Sequence, residues 1–549
     1  MTTLTTQAKL MTNWRWWLCS LLFVATTVNY LDRQVLSLTY EEFIKPEFGW
    51  TDADYGTITS FFSIFYAICC LFAGKFIDWM GTKKGYLWSI GVWSAGACMH
   101  AACGWGTSLI TGEADITAVE IGSKAALAVS TTSVYLFLLC RGILALGESG
   151  NFPAAIKVTA EYNPKKDRAF STSIFNSGAS VGALAAPLCI PPLAKSLGWE
   201  WAFIIIGGLG FLWMFFWAFM YDKPEKSKHV NAAELEYIHQ DDETEAAEQT
   251  TDGEEKAIPF LKCFTYKQTW SFICGKLLTD GVWWFFLFWA PSYFDNQFHA
   301  KASSPLGQAL IFTLYAIVTV ISIFGGYLPR LFVERRGMNP YSGRMLAMLI
   351  FAFLPLVALA AQPLGVSSPW WPAILIGIAA AGHQAWSANL FSTIGDMFPK
   401  STIATITGIG ATAGGIGSMF IQKIAGNLFT TASGSFQAEG VEQAMEITEK
   451  NITKVFDIPI EYAQDLVGTE MQDVIDKGGI VIEKAMSSGE MITKINELGG
   501  QIVSDPMTFL GFEGKPAGYF IMFCFCGIAY LISWVAMKLL VPKYKPIKA

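Results

Sequence analysis

A chain of 549 residues in which 52% of side chains are hydrophobic and only 15% charged, with a mean hydropathy of +0.38, is not a string of soluble domains. In such a composition the formal net charge of -7 carries little information about partners; no nucleic-acid or nucleotide partner is expected. The 11 cysteines sit mostly inside apolar runs, without CxxC pairs, and read as small buried residues; no metal or disulfide framework is expected.

A bilayer core of about 30 Å asks for about 20 apolar residues per helix. Runs of that length fall at 15–38, 53–76, 85–106, 131–153, 168–194, 200–221, 268–293, 306–332, 341–362, 370–396, 402–430 and 516–541. The first shows no A-x-A cleavage pattern and reads as a retained helix. The pattern predicts an all-α integral membrane protein with twelve transmembrane helices. Short loops on the side of the N-terminus hold eighteen Lys and Arg, against four on the other side, which predicts both termini in the cytoplasm.

Two polar stretches interrupt the rhythm. Residues 222–267, with the run DDETEAAEQTTDGEE, read as a solvated cytoplasmic linker between a first half, 1–221, and a second, 268–549. Residues 431–515 then fall outside the cytoplasm. Their apolar spacing, at Val441, Met445 and Ile447 and again at Ala485, Met486, Ile492 and Ile495, predicts a small helical, periplasmic insertion. The run Gly74-Lys75-Phe76-Ile77-Asp78-Trp79-Met80-Gly81-Thr82-Lys83-Lys84 after the second span is echoed after the eighth by Gly326 to Arg330 and Glu334 to Gly337. Such repeats build secondary transporters with a central site. No GxxxxGK[ST] motif accompanies them, so no nucleotide is expected to drive the cycle.

Charges inside hydrocarbon cost at least ~2.5 kcal/mol each on insertion scales, so each needs a reason. The first span holds Asp32 and Arg33; the fourth holds Arg141 and Glu148, seven residues apart on one face; the seventh holds Lys276 and Asp280; the tenth holds His383. These charges can simply neutralise one another in packed ion pairs, above all Lys276 with Asp280, and His383 can be a hydrogen-bonded packing residue. As functional groups, Arg33, Arg141 and Lys276 suit an anionic substrate, because a guanidinium grips a carboxylate through two N–H groups. Asp32 and Glu148 are the candidate proton carriers, with Arg141 placed to pair with either in turn. Polar groups suited to substrate hydroxyls are Asn29, Tyr30, Tyr66, Asn151, Asn176, Thr279, Gln384, Ser387 and Asn389. Trp283, Trp284 and Trp386 either stack on a sugar ring or wedge between helices. Five glycines between 408 and 417 mark a close-packed helix face.

The chain resembles the major facilitator superfamily through all twelve spans. GKFIDWMGTKK is similar to that superfamily's signature loop, departing from it in Trp79 and Thr82. Within the superfamily it resembles the anion:cation symporter group, through Asn29 to Arg33, Arg141-Gly142, Gly147 to Pro153 and Gly198 to Phe203. The strings GKLLTDGVWWFFLFWAP and GHQAWSANLF followed by DMFPK resemble hexuronate transporters. The resemblance implies two six-helix halves of the major facilitator fold, a gating role for Gly74, Asp78, Gly81, Lys83 and Lys84, and proton symport of a hexuronate. The site expected from residues and resemblance together comprises Asp32, Glu148 and Arg141 for coupling. For the substrate it comprises Tyr30, Arg33, Tyr66, Asn151, Lys276, Thr279, Trp284, His383, Gln384, Trp386, Ser387 and Asn389. The expected protein is a non-enzymatic transporter of the bacterial inner membrane, with a small sugar-acid anion as substrate, the proton as coupling ion and no cofactor. An aldonate or other organic-anion symporter stays open. A transporter-like sugar-acid sensor is disfavoured, because only about eight residues follow the twelfth span.

Overall fold

A computed structural model describes residues 11–240, 258–322, 324–399, 402–458 and 495–547. Among these, twelve long helical rods form the molecule: α1 Trp14–Thr39, α2 Asp52–Met80, α3 Thr82–Met99 with its continuation Cys103–Thr111, α4 Lys124–Tyr162, α5 Lys165–Leu197 and α6 Trp199–Met220. The second set is α7 Lys267–Phe298, α8 Pro305–Arg336, α9 Pro340–Gly365, α10 Trp370–Met397, α11 Ile403–Ser433 and α12 Lys515–Leu540. Eight of the described rods are long and apolar enough to cross a membrane on length and composition alone. Neither α1, which carries Asp32 and Arg33, nor the glycine-rich α11 is among them.

Local chemistry sets the rod ends. Thr51 and Asp54 form a reciprocal capping box that starts α2. Gly81, at a φ of 78° that favours glycine, turns the chain from α2 directly into α3. The rod of α4 begins at Lys124, earlier than the apolar run, because Ser123 caps it. It continues through a turn at Ser149 and Gly150 to Tyr162.

Within the first half, α1 lies along α5, and α3 along α4 and α6; within the second, α8 lies along α10. The halves meet where α2 runs along α11, α5 meets α8, and α1 meets α7. The α2–α11 approach is close because both sides are glycine: a Cβ on Gly56 would stand 2.9 Å from the Gly426 Cα.

The segment after α11 corrects an expectation. Among the described residues it forms a three-stranded antiparallel sheet, β1 Ser435–Ala438, β2 Met445–Glu446 and β3 Gly500–Ser504, in the order β2-β1-β3, together with the short helix Glu449–Phe456 and a two-stranded hairpin, Thr508–Phe509 with Phe512–Glu513. Val441 to Ile447 is therefore loop and strand, not helix. Its apolar residues instead bury in a small core with Phe436, Ile452 and Ile495. Ala485, Met486 and Ile492 lie outside the described residues, as does the acidic run 241–257. The stretch before that run is docked. Its helix Ala232–Ile238 carries Glu234, fully buried, which accepts from the backbone N–H groups of Trp14 (3.0 Å) and Arg15 (3.1 Å) and so caps α1.

Candidate functional site

The charged residues of α1 and α4 come together in one buried pocket. On α4, a separation of seven residues places Arg141 and Glu148 about 10 Å apart along the axis, too far for a direct bond. At the level of Glu148 the neighbour is α1, and the pairing follows. Arg33 donates both Nε (3.1 Å) and Nη2 (2.6 Å) to a single oxygen of Glu148, with both residues nearly inaccessible. The structure thus pairs Glu148 with Arg33 and not with Arg141, the partner that sequence spacing suggests.

Three polar groups around this pair are left open. The second oxygen of Glu148 accepts nothing, Arg141 Nη1 donates to nothing, and neither oxygen of Asp32 is hydrogen-bonded, although each of these residues is 2% exposed or less. Trp93 Nε1, also without a bond, lies alongside Asp32. Asn29 and Gln34, on the same helix as Asp32, are buried with both amide atoms unbonded. Buried polar atoms without partners are rare, and so many together mark a place built to receive polar groups from outside the protein.

Aromatic rings frame the pocket. The Arg33 guanidinium lies 5.0 Å from the ring centres of Tyr66 and Trp284, 5.2 Å from Tyr30 and 5.6 Å from Phe62. Arg141 leans on the same Phe62 ring at 5.4 Å. Trp284 belongs to α7, so the pocket faces across the junction of the halves. Nearby, Tyr55 donates to the Phe288 carbonyl (2.9 Å) from the first half to the second. Asn151 accepts from Tyr86 (2.7 Å) and keeps its Nδ2 unbonded.

Residues of the second half pair largely with one another, although Asp280 Oδ1 is buried and accepts nothing. Lys276 and Asp280 pair at 2.6 Å across one turn of α7, and Lys276 also lies over Phe391 at 4.6 Å. His383 Nδ1 shares a hydrogen bond with the Tyr530 hydroxyl (2.8 Å), and its ring stacks on Trp283. Tyr530 in turn donates to the Thr279 carbonyl, and the Thr279 hydroxyl and Trp386 Nε1 both donate to that of Gly275. Asn389 donates to the Ala385 carbonyl (2.8 Å). Trp386 is fully buried and wedges between helices, whereas Trp284, Gln384 and Ser387 stay half-exposed. Asn176 is exposed.

Helix α7 breaks at Leu278, between the two charged residues. The break is possible because α11 presents Gly414 against the Asp280 carboxylate and Gly417 against the Leu277 carbonyl, where any Cβ would collide. In the signature loop, Lys83 pairs with Asp222 (2.8 Å), where the linker begins, and Asp78 with Lys157 (2.6 Å) within the first half. Gly74 lies inside α2 and Lys84 is exposed.

Sequence reasoning missed Phe62, Trp93 and Tyr530, since an aromatic among many aromatics carries no signal.

Residues 22–421 match the Major Facilitator Superfamily. The chain is 26% identical over 418 residues to the hexuronate transporter of Escherichia coli strain K12, covering 76% of this chain and 88% of that one. It is 25% identical over 343 residues to a galacturonate transporter of Dickeya chrysanthemi, covering 62% of this chain and 88% of that one. To the D-galactonate transporter of E. coli O6:H1 it is 23% identical over 413 residues, covering 74% and 87%. Among solved structures it is similar in fold to a bacterial homologue of the human lysosomal transporter Spinster. There the TM-score is 0.58 at 16% identity, over 98% of this chain and 99% of the other.

Proposed function

We propose that this chain, which belongs to the Major Facilitator Superfamily, is a proton-coupled symporter that carries a hexuronate or a closely related sugar acid by alternating access between its two halves. One observation carries the reading: two buried arginines share one pocket with two carboxylates, and only one of the four possible pairings is made. Arg141, with a free donor against Phe62, is the group placed to take a substrate carboxylate. Asp32 is the group placed to carry the coupling proton, since a buried carboxylate with only the Trp93 indole beside it is costly as an ion. Glu148 holds Arg33 until substrate or proton arrives. The second half supplies hydroxyl-reading and ring-stacking groups, with Trp284, Gln384 and Ser387 the accessible ones and Thr279, Asn389 and Trp386 behind them. The Lys276–Asp280 pair and His383 position this wall.

The names of the relatives support a sugar-acid substrate, and the excess of Lys and Arg in short loops supports a bacterial inner-membrane protein with both termini cytoplasmic. In that orientation the end of the bundle bearing the β1–β3 sheet faces the periplasm. The deciding experiment is uptake of labelled glucuronate, galacturonate and galactonate into proteoliposomes under an imposed inward proton gradient. Accumulation of at least one uronate that collapses with a protonophore is expected. Accumulation that survives the protonophore and follows sodium would overturn the proton assignment, and preference for galactonate alone would move the substrate to the aldonates.

A further inference from the structure

Successive side chains on a helix point about 100° apart, and the two charged residues of α1 use that difference. Arg33 faces the junction of the halves, its guanidinium 5.0 Å from the Trp284 ring of α7. Asp32 faces α3, where the Trp93 indole lies alongside it. Trp93 thus reaches the carboxylate from a helix that packs along α4 and α6, within the first half.

The indole is clamped in place. Trp93 is fully buried, and Gly147 of α4 lets its backbone come so close that any Cβ there would collide. Gly210 of α6 lies at the indole edge, where a Cβ would stand 3.2 Å from Nε1. A glycine offers no side-chain acceptor, and the adjacent Ser94 hydroxyl, also fully buried, makes no hydrogen bond itself. The Trp93 N–H therefore donates to nothing, while neither oxygen of Asp32 accepts. A buried donor without an acceptor and a buried carboxylate without a donor are each costly, and here they lie side by side. A neutral carboxyl asks little of such a neighbour. An ionised one attracts it, since hydrogen bonds to a charged group are roughly twice as strong as neutral ones.

We propose that Trp93 is a positioning residue for proton coupling: its indole N–H bonds to Asp32 when that carboxyl gives up its proton, and so sets the pH at which the proton leaves. This rests on the reading that Asp32 carries the coupling proton. The other charged and titratable groups facing Asp32 are Arg141 and Glu148 of α4 and the Cys98 thiol of α3, while Arg33, next to it on α1, is committed to Glu148. All of these stay in place when only the indole N–H is removed. Because that N–H favours the ionised form, a chain without it holds the Asp32 proton to higher pH.

The test needs no substrate. The full chain in lipid nanodiscs is titrated by infrared spectroscopy, and the C=O stretch of protonated Asp32 is identified by its loss in Asp32→Asn. Trp93→Phe keeps an aromatic ring and removes the donor. Replacing Trp93 by 3-benzothienylalanine keeps the shape of the indole and changes only the N–H, which covers a Phe variant that fails to fold. In both, the Asp32 midpoint is expected to rise by about one pH unit or more, a tenfold tightening of proton binding and the low end of what a hydrogen bond to a charged group contributes. Trp213→Phe, which removes an indole N–H that donates to the Leu21 carbonyl (2.7 Å), is expected to leave the midpoint unchanged. A midpoint unmoved by either replacement at 93, or moved equally by Trp213→Phe, would overturn the inference and leave the transport reading standing. The absence of an Asp32 band at every pH would overturn the inference together with the coupling role of Asp32. A shifted midpoint in a chain whose uptake follows sodium would support the inference and sink only proton symport.

Discussion

Asp32 and Arg33 are adjacent in sequence, yet a helix turns successive side chains by 100°, and only Arg33 reaches Glu148. That rotation gives the two residues different consequences when mutated. Asp32→Asn keeps the volume and removes the titrating group, so counterflow of substrate is expected to persist while gradient-driven accumulation falls roughly tenfold or more. Both activities falling together would make Asp32 a structural residue. Arg33→Lys keeps the charge but cannot donate twice to one Glu148 oxygen, and a drop in substrate affinity of roughly tenfold or more is expected by calorimetry. Unchanged affinity would place Arg33 outside the binding step. Outside the membrane spans, Glu47 has its carboxyl pushed up to about 7 by burial beside Glu200, with only the Trp199 indole N–H (2.5 Å) opposing the shift. The folded state thus holds this proton more tightly than the unfolded chain. Its contribution to stability is present below pH 4.5 and is lost as pH rises through about 7. Glu47→Gln is expected to flatten the pH dependence of Tm across that window, and an unaltered profile in thermal unfolding would refute the assignment.

At the scale of elements, the rods follow from their apolar runs, but their junctions follow from glycine. The cluster in α11 reads in the sequence as a close-packing face, and the structure gives each position its reason: Gly417 admits the Leu277 carbonyl, Gly414 the Asp280 side chain, and Gly426 the backbone of α2. The break of α7 at Leu278 has no such signature, because it depends on those glycines, more than 130 residues away. The strands after α11 escape detection for a different reason. They are two to five residues long, and an apolar spacing of three or four is shared by a short helix and by a strand-loop-strand crossing one small core. The α2–α11 contact yields its own prediction. Gly426→Val would drive a branched side chain into Asp52 and Gly56, an overpacking worth about 1–3 kcal/mol, and it would act only where the halves are closed at this end. Cross-linking between cysteines placed at 57 and 423 is expected to fall severalfold in this variant. Wild-type yield would show that the helices already part there at no cost.

For the whole molecule, the two halves treat charge in opposite ways. On α7 the second half pairs Lys276 with Asp280, leaving one Asp280 oxygen unbonded, whereas α1 and α4 of the first keep two cations and two carboxylates with a single hydrogen-bonded pairing among them. Which residues are charged and intramembrane was legible in the sequence; which of them pair was not, since pairing depends on where α1 crosses α4. With one carboxylate neutral, the pocket carries one net positive charge, the complement of a monoanion. Glu148→Gln makes that neutral state permanent at the residue that occupies Arg33. Arg33 is then released to the pocket, and the charge that a proton would otherwise supply no longer depends on pH. Substrate is therefore expected to bind at least as tightly as in wild type and to exchange in counterflow, while an imposed proton gradient no longer drives accumulation. The measurement sets counterflow beside gradient-driven uptake in the same vesicles. Full proton-driven accumulation by Glu148→Gln would reduce the Arg33–Glu148 bond to a packing contact and leave Asp32 as the sole site of coupling in this pocket.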